Sequence, residues 1–397
     1  MASAQLKQLK TELSAELDSI LNYWSKNAPD NKNDGFFGQI DNKENIIADA
    51  EKGSVLNARI LWSFSSAYQF TKNEEHKKIA QRAFEYLSNY FYDSEFGGLF
   101  WSINVDKTPK DTKNQIYALA FAIYGLSEYY VISKDEKALE IAINLYLEIQ
   151  NHSYDPEYKG YLEAFTRNWQ PIEDLRLSEK DANEKKTMNT HLHIVEAYAN
   201  LFKVWKDKKL QSDIIELLET IEKHFINTKT GHLRLFFDEN WIEKPDVISY
   251  GHDIEAAWLL LQCAEISEDK NLIANYKKHA IQMAEVTKEG LDSDGGLWYE
   301  FDPEKNELIT EKHWWVQAEA LIGFYNAYQL TGDENYLNIV FKNWDFIKKY
   351  ILDNKNGEWF WGIYKDYSLI EKDKAGFWKC PYHNSRACLE LIHRIKN

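Results

Sequence analysis

The stretch DSEFGGLFWSI, residues 93–103, is an Asp-led turn and a glycine pair followed by a run rich in aromatics. Five further copies of this pattern occur: DNKNDGFFGQI at 30–40, DPEYKGYLEAF at 155–165, NTKTGHLRLFF at 227–237, DSDGGLWYEF at 292–301 and DNKNGEWFWGI at 353–363. Their glycines, Gly35, Gly98, Gly160, Gly231, Gly296 and Gly357, are spaced by 63, 62, 71, 65 and 61 residues. Regular spacing of this kind marks a repeat architecture. Glycine suits a reversal that needs positive φ, and the alternating aromatics after it predict a short hairpin.

Two helical patterns separate successive copies. The first is apolar nearly all round: Val55 to Phe70, Ile116 to Tyr130, Ile194 to Trp205, Ile254 to Ile266 and Val316 to Leu330. A helix without a polar face is buried on both sides. The second is amphipathic, as in Glu75 to Phe91, Lys134 to Gln150 and Glu334 to Tyr350, and opens on polar clusters such as Lys72-Asn73-Glu74 and Gly332-Asp333-Glu334 that suit an N-cap. Six pairs of an inner and an outer helix predict an all-α fold, and no copy looks like the polar end-cap of an open solenoid. The expected architecture is a closed (α/α)6 barrel in a single domain, 1–397, with the first helix (Gln5 to Ser25) packed on the last (His383 to Ile395). The unpatterned stretch from Ala164 to Lys186 is long enough to be a lid.

The composition narrows the function. Of 397 residues 44% are apolar and 28% charged, which supports a large core. Net charge is −16, from 63 acidic and 47 basic residues, so neither nucleic acid nor an anionic membrane surface is an expected partner. The three cysteines are too few for a disulfide framework or a four-ligand zinc site. No secretory leader or membrane-spanning run is read from the sequence, so a cytoplasmic protein is expected, and its acidic surface favours a monomer. Aromatics reach 15%, with 14 Trp; sugar rings present C–H faces that pack on aromatic planes, which hints at carbohydrate.

Unusual polar residues gather at the N-terminal ends of the inner helices: Asn57 and Arg59; Lys113, Asn114 and Tyr117; Asn189, His191, His193 and Glu196; His252 and Glu255; His313, Trp314, Trp315, Gln317 and Glu319; Trp378, His383 and Arg386. In a barrel those ends share one rim, and helix N-termini carry partial positive charge that suits a developing oxyanion. His193 with Glu196, His252 with Glu255 and His383 with Arg386 are i,i+3 pairs, and Asn189 with His193 is i,i+4. A carboxylate beside an imidazole fixes its tautomer and raises its basicity. By contrast His76, His152, His224, His279 and His393 fall on outer helices, in loops or near the terminus and read as structural or solvated. A metal is not expected: a dinuclear carboxylate site takes two more glutamates from other helices, and only Glu319 offers itself. Trp314, Trp315 and Trp378 beside histidines and carboxylates fit platforms for sugar rings.

Six blocks together resemble cellobiose 2-epimerases of the N-acylglucosamine 2-epimerase superfamily: GFFGQID from Gly35, KGSVLNARILWSFSSAY, KTMNTHLHIVEAY, YGHDIEAAWLL, KHWWVQAEALIGF and GFWKCPYHNSRACLELIHRI. They span nearly the whole chain. The resemblance implies an (α/α)6 barrel, paired acid/base histidines at His252 and His383, and a further essential histidine at His193. It places substrate contacts at Arg59, Tyr117, Asn189, Glu255, Trp314, Trp315, Glu319 and Trp378. The implied activity inverts C2 of the reducing-end glucose of β-1,4-linked disaccharides, cellobiose to glucosyl-mannose and lactose to epilactose, through a cis-enediolate and with no cofactor. The nearest rival is a mannose 2-epimerase or aldose–ketose isomerase acting on free monosaccharides. Glycoside hydrolysis using Glu255, Glu319 and Asp253 would leave the histidines without a task, and a non-catalytic scaffold would not need them at all.

Overall fold

The structure, a computed structural model, describes residues 2–396. Among them are twelve α-helices: α1 (Ala2–Asn27), α2 (Ser54–Thr71), α3 (Glu74–Tyr86), α4 (Ile116–Ser133), α5 (Glu136–Glu148), α6 (Met188–Val204), α7 (Lys208–Thr220), α8 (Tyr250–Ser267), α9 (Lys270–Thr287), α10 (Trp314–Thr331), α11 (Glu334–Phe346) and α12 (Tyr382–Arg394). The even-numbered helices make a closed inner ring, each packed on the next and α12 returning onto α2. The odd-numbered helices surround it, with α1 against α12 as expected from the sequence. The result is the (α/α)6 barrel. Burial on two sides explains the all-round apolar inner helices. Helix α4 is long and apolar enough to cross a membrane, a feature the sequence reading overlooked. It is wedged between α2 and α6, and Ile116 through Ser127 are all buried.

The corners between inner and outer helices repeat one device. Lys72, Lys134, Glu268 and Gly332 end inner helices in the left-handed conformation. The next residue, Asn73, Asp135, Asp269 or Asp333, accepts a backbone N–H two residues on and caps the outer helix.

At the opposite rim the aromatic copies are not the self-contained hairpins that the sequence suggested. Each turn is closed by a bridge such as Tyr92 to Leu99. The chain then pairs with the short strand that precedes the previous inner helix. Thus Ser102–Ile103 lies on Lys52–Gly53, Ala164–Phe165 on Asn114–Gln115, and Phe236–Phe237 on Lys186–Thr187. Likewise Ile248 and Ser249 pair with Phe301 and Glu300, and Lys312 and His313 with Ile363 and Gly362, while a bridge from Ile40 to Ala375 closes the circle. Every repeat therefore fixes where its neighbour's inner helix begins.

Buried polar groups hold this rim. The backbone N–H groups of Leu99, Tyr161, Leu233 and Leu297 donate to Asn114, His191, Asp253 and Gln317 at 3.1, 2.9, 2.8 and 2.8 Å. Lys52, Lys186, Lys312 and Lys374 are buried, as lysine is only when paired, and reach Asp30, Asp155, Asp292 and Asp353 at 3.0, 2.8, 2.6 and 2.6 Å. Trp169 and Trp241, both at positive φ, stack on His152 and His224 with ring centroids 4.3 and 4.0 Å apart. Those two histidines are structural, as expected. Gly98 shows how tightly the turns fit: φ is +83°, and a Cβ would collide with Asn114 Oδ1. Gly98→Ala is expected to lower stability by about 2 kcal/mol, read as a shift in the urea midpoint with an unchanged slope.

Candidate active site

The inner-helix N-termini surround a cavity of about 470 Å³. Its walls include Arg59 (α2), Tyr117 (α4), Asn189 and His193 (α6), His252 and Glu255 (α8), Trp314 and Trp315 (α10), Trp378, and His383 (α12). Ten of the eleven residues singled out from sequence therefore line one space. The remaining one, Glu319, stands behind His383 and holds it. Helix α6 starts at Met188, earlier than the apolar pattern from Ile194 suggested, and so carries Asn189 and His193 on its first turns.

Each histidine is oriented through Nδ1. His383 meets Glu319 at 2.7 Å, His193 meets Glu196 at 2.9 Å, and His252 meets the Ser249 hydroxyl at 2.8 Å. A carboxylate at Nδ1 fixes the proton there and leaves Nε2 with its lone pair. The expected His252–Glu255 pair does not form: Ser249, just before the helix, is nearer to the imidazole, and Glu255 turns to Arg386 on α12. Trp315 is next to both acid/base candidates, its ring 4.9 Å from that of His252 and 5.6 Å from that of His383. Burial lowers all three histidines, against the pull of Glu196 on His193 and of Glu319 on His383 and His252; His252 and His383 fall to about 3. Near neutral pH they are uncharged and able to accept a proton.

Below the cavity floor lies a buried ionic cluster. Arg386 donates from Nη1 to Glu196 and from Nη2 to both Glu255 and Glu319, each at 2.6 Å, and Tyr382 donates to Glu196 at 2.7 Å. Burial works against each carboxylate. Arg386 and His383 outweigh it at Glu319, whose pKa is lowered, whereas Glu255, beside Glu319, is raised. Glu255, Glu319 and His383 offer ligand atoms within 4.8 Å of one another, spacing that an ion could bridge. The Arg386 guanidinium already bonds both carboxylates, so the positive charge at that place is the protein's own.

Arg59 is different. It lies 4.0 Å over the Phe121 ring and donates to the Tyr117 hydroxyl at 2.7 Å, and among the described residues it meets no carboxylate. A buried guanidinium without an anion, facing the cavity, is a ready partner for negative charge that develops there. Trp314 and Trp361 keep indole N–H groups, and Asn189 a carbonyl oxygen, with no protein partner among the described residues. Such groups suit hydroxyls.

Not every rim residue belongs to the site. His191 spans Tyr161 N and Thr187 O, and Asn114 and Gln317 hold turn backbones. Asp253, weighed above as a hydrolytic carboxylate, is buried against His232 and Leu233 N, away from the cavity. Other wall residues were missed from sequence. Tyr299 stacks on His313 with centroids 4.0 Å apart; Trp361 packs on Trp314, and Lys372 joins them. Tyr299 and Trp361 sit three and four residues after the repeat glycines Gly296 and Gly357, so the alternation of aromatics carried the signal. Of the 164–186 segment, Leu177 to Asp181 line the cavity, while Leu175 is tied down by Gln115 at 3.1 Å and by Asn183 at 2.9 Å.

Residues 35–387 match the N-acylglucosamine 2-epimerase (GlcNAc 2-epimerase) family. A cellobiose 2-epimerase of Bacteroides fragilis is 49% identical over 386 residues, which cover 97% of this chain and 98% of that one. The chain belongs to the N-acylglucosamine 2-epimerase family. It is accordingly an isomerase. Within the family, the structure of cellobiose 2-epimerase from Bacillus thermoamylovorans B4167 superposes with a TM-score of 0.93 at 37% identity, covering 98% of this chain and all of the other. A D-mannose isomerase of Marinomonas mediterranea is more distant, 23% identical over 97% of this chain and 98% of its own.

Proposed function

We propose that the chain, acting as one catalytic domain, epimerises C2 of the reducing-end glucose of β-1,4-linked disaccharides such as cellobiose and lactose, without a cofactor. The observation that carries this reading is the pair of neutral, cavity-facing histidines, His252 and His383, both next to Trp315 and sharing the cavity with the carboxylate-free Arg59. The C2 proton of an open-chain aldose is acidic because the neighbouring carbonyl takes up the charge. His193 or His383 assists ring opening by moving a proton between the anomeric hydroxyl and the ring oxygen. One of the His252/His383 pair then removes the C2 proton, and Arg59 with Tyr117 faces the resulting enediolate. Rotation about C2–C3 turns the other face of C2 to the pair, and a proton is returned there. Trp314, Trp315 and Trp378 supply the platforms, with Asn189, Glu255 and Glu319 binding or orienting.

A disaccharide is favoured over a free monosaccharide by the names of the more similar relatives. It is also favoured by an adjoining cavity of about 450 Å³, walled in part by the same Leu177, Asn189 and Tyr299, which gives a second ring a place. Proton NMR of cellobiose, and separately of mannose, incubated with the protein in D2O tests this. Deuterium at C2 with glucosyl-mannose forming is the expected result; exchange with mannose alone moves the substrate to the monosaccharide, and no exchange with either sugar sinks the reading.

A pH prediction follows from the buried imidazoles. Their folded pKa is lowered, so the neutral form persists well below the value of about 6.5 usual for histidine. The acid limb of kcat/KM is therefore expected well under pH 6, and a limb centred near 6.5 would contradict the assignment of neutral bases.

A further inference from the structure

The ionic cluster under the cavity is out of balance. Glu196, Glu255 and Glu319 all bond the single guanidinium of Arg386. No second cation compensates them: His193 and His383, bonded to Glu196 and Glu319, are uncharged, and Arg59 is bonded to none of the three. Two uncompensated carboxylates in a site this buried are prohibitive, and a carboxyl group relieves such strain by keeping its proton.

The hydrogen bonds single out which one. Glu196 is met by Tyr382, His193 and Arg386, and Glu319 by Trp258, His383 and Arg386. Glu255 receives one bond, from Arg386 Nη2 to Oε1. Its Oε2 has no partner among the described residues, and the side chain forms part of the cavity wall. The groups around it are Glu196 and His193 from α6, Glu319 from α10, Arg386, Tyr382 and His383 from α12, His252 on its own helix, and Arg59 and Tyr117 across the cavity. None of them hydrogen-bonds that oxygen.

We infer that Glu255 stands in the resting protein as a neutral carboxyl group whose Oε2–H donates to the sugar oxygen on which negative charge gathers. The inference rests on the epimerase reading above and gives Glu255 a catalytic task there. When the C2–H bond breaks, its electron pair becomes the C1–C2 π bond and the carbonyl π pair moves onto O1. The proton from C2 goes to a histidine. Glu255 donates a hydrogen bond to O1, or hands its proton over so that O1 becomes a hydroxyl and Glu255 a carboxylate; return of the proton to C2 reverses each step. The raised pKa of Glu255, from burial and then from Glu319, agrees with this arrangement.

Glu255→Gln is the informative variant. Arg386 donates to the amide oxygen as it does to Oε1, which turns the amide N–H2 to the cavity as a neutral donor. The expected result is that E255Q turns cellobiose over more slowly than wild type but at least about 10-fold faster than E255L, which loses about 100-fold in kcat, and that E255Q lacks the alkaline limb of the wild-type profile. An infrared difference spectrum, wild type minus E255Q in D2O at neutral pH, is expected to show the C=O stretch of a protonated carboxyl. That band is read without substrate, so it decides the resting proton even if cellobiose is not turned over. Absence of the band overturns the inference, and so does an E255Q that epimerises no better than a folded E255L.

Discussion

His383→Asn and His252→Asn are each expected to lose at least about 10³-fold in the rate of 2-epimer formation, the span that positioned acid–base groups supply. The reason lies in what asparagine keeps and what it lacks. At position 383 its amide can still meet Glu319, whose other partners, Trp258 and Arg386, remain, so helix α12 and the barrel stand. At position 252 the neighbours are the Ser249 hydroxyl and the Trp315 face, neither of which needs an imidazole for its own place. What disappears is a nitrogen lone pair that takes a proton at neutral pH. Deuterium wash-in at C2 should vanish together with product, while circular dichroism and the urea midpoint stay close to wild type. Because the two histidines serve one proton path, the double variant should be little worse than either single one. A folded single variant that retained a tenth of the wild-type rate would sink the assignment.

The other large effect is on stability. Arg386→Met should destabilise the protein by roughly 3–5 kcal/mol, because it removes one partner from a buried ionic cluster and leaves its carboxylates uncompensated. Arg386 is 1% exposed and reaches from α12 to carboxylates on α6, α8 and α10, so the variant strips a tie from three other helices of the inner ring. The loss should be read as a fall in the urea midpoint. Glu319→Gln placed on top of Arg386→Met should recover part of it, since one unpaired charge then disappears. A fall of less than about 1 kcal/mol would mean that the carboxylates take up protons freely when Arg386 is gone.

Much of this was legible in the chain itself. The six glycine turns gave the repeat, and the alternation of all-apolar with amphipathic helices gave the two layers, because burial on two sides leaves no polar face. The site was legible because a closed ring brings every inner-helix N-terminus to one rim, so the histidines, tryptophans and Arg59 at those positions meet in one cavity, while Asn114, His191 and Gln317 at the same rim hold turns and Tyr299, Trp361 and Leu177 to Asp181 enter the walls from the loops. What could not be read was which neighbour each polar side chain turns to. Glu255 is i+3 from His252, yet it bonds an arginine that lies 131 residues away along the chain. His191 and Asp253 carry the same residue types as the site, but they face outward to hold turn backbones. Four lysines two to eight residues before inner helices carry no sequence signal of burial; their aspartate partners in the turns come from the repeat just upstream, and only the three-dimensional pairing shows it.

The contact between α1 and α12 has a consequence for synthesis on the ribosome. The partners are nearly the whole chain apart: Lys10 bonds the Ile395 carbonyl at 2.8 Å, across 385 residues. At about 5–20 residues per second, the apolar stripe of α1 waits for tens of seconds before its partner emerges. Helix α12 also carries His383 and Arg386, so the proton path and the ionic cluster are completed by the same late event that closes the ring. Nascent chains stalled before residue 382 should therefore hold cohesive but open stacks of repeats, dependent on chaperones and devoid of catalysis. Helices α1 and α12 thus mature together.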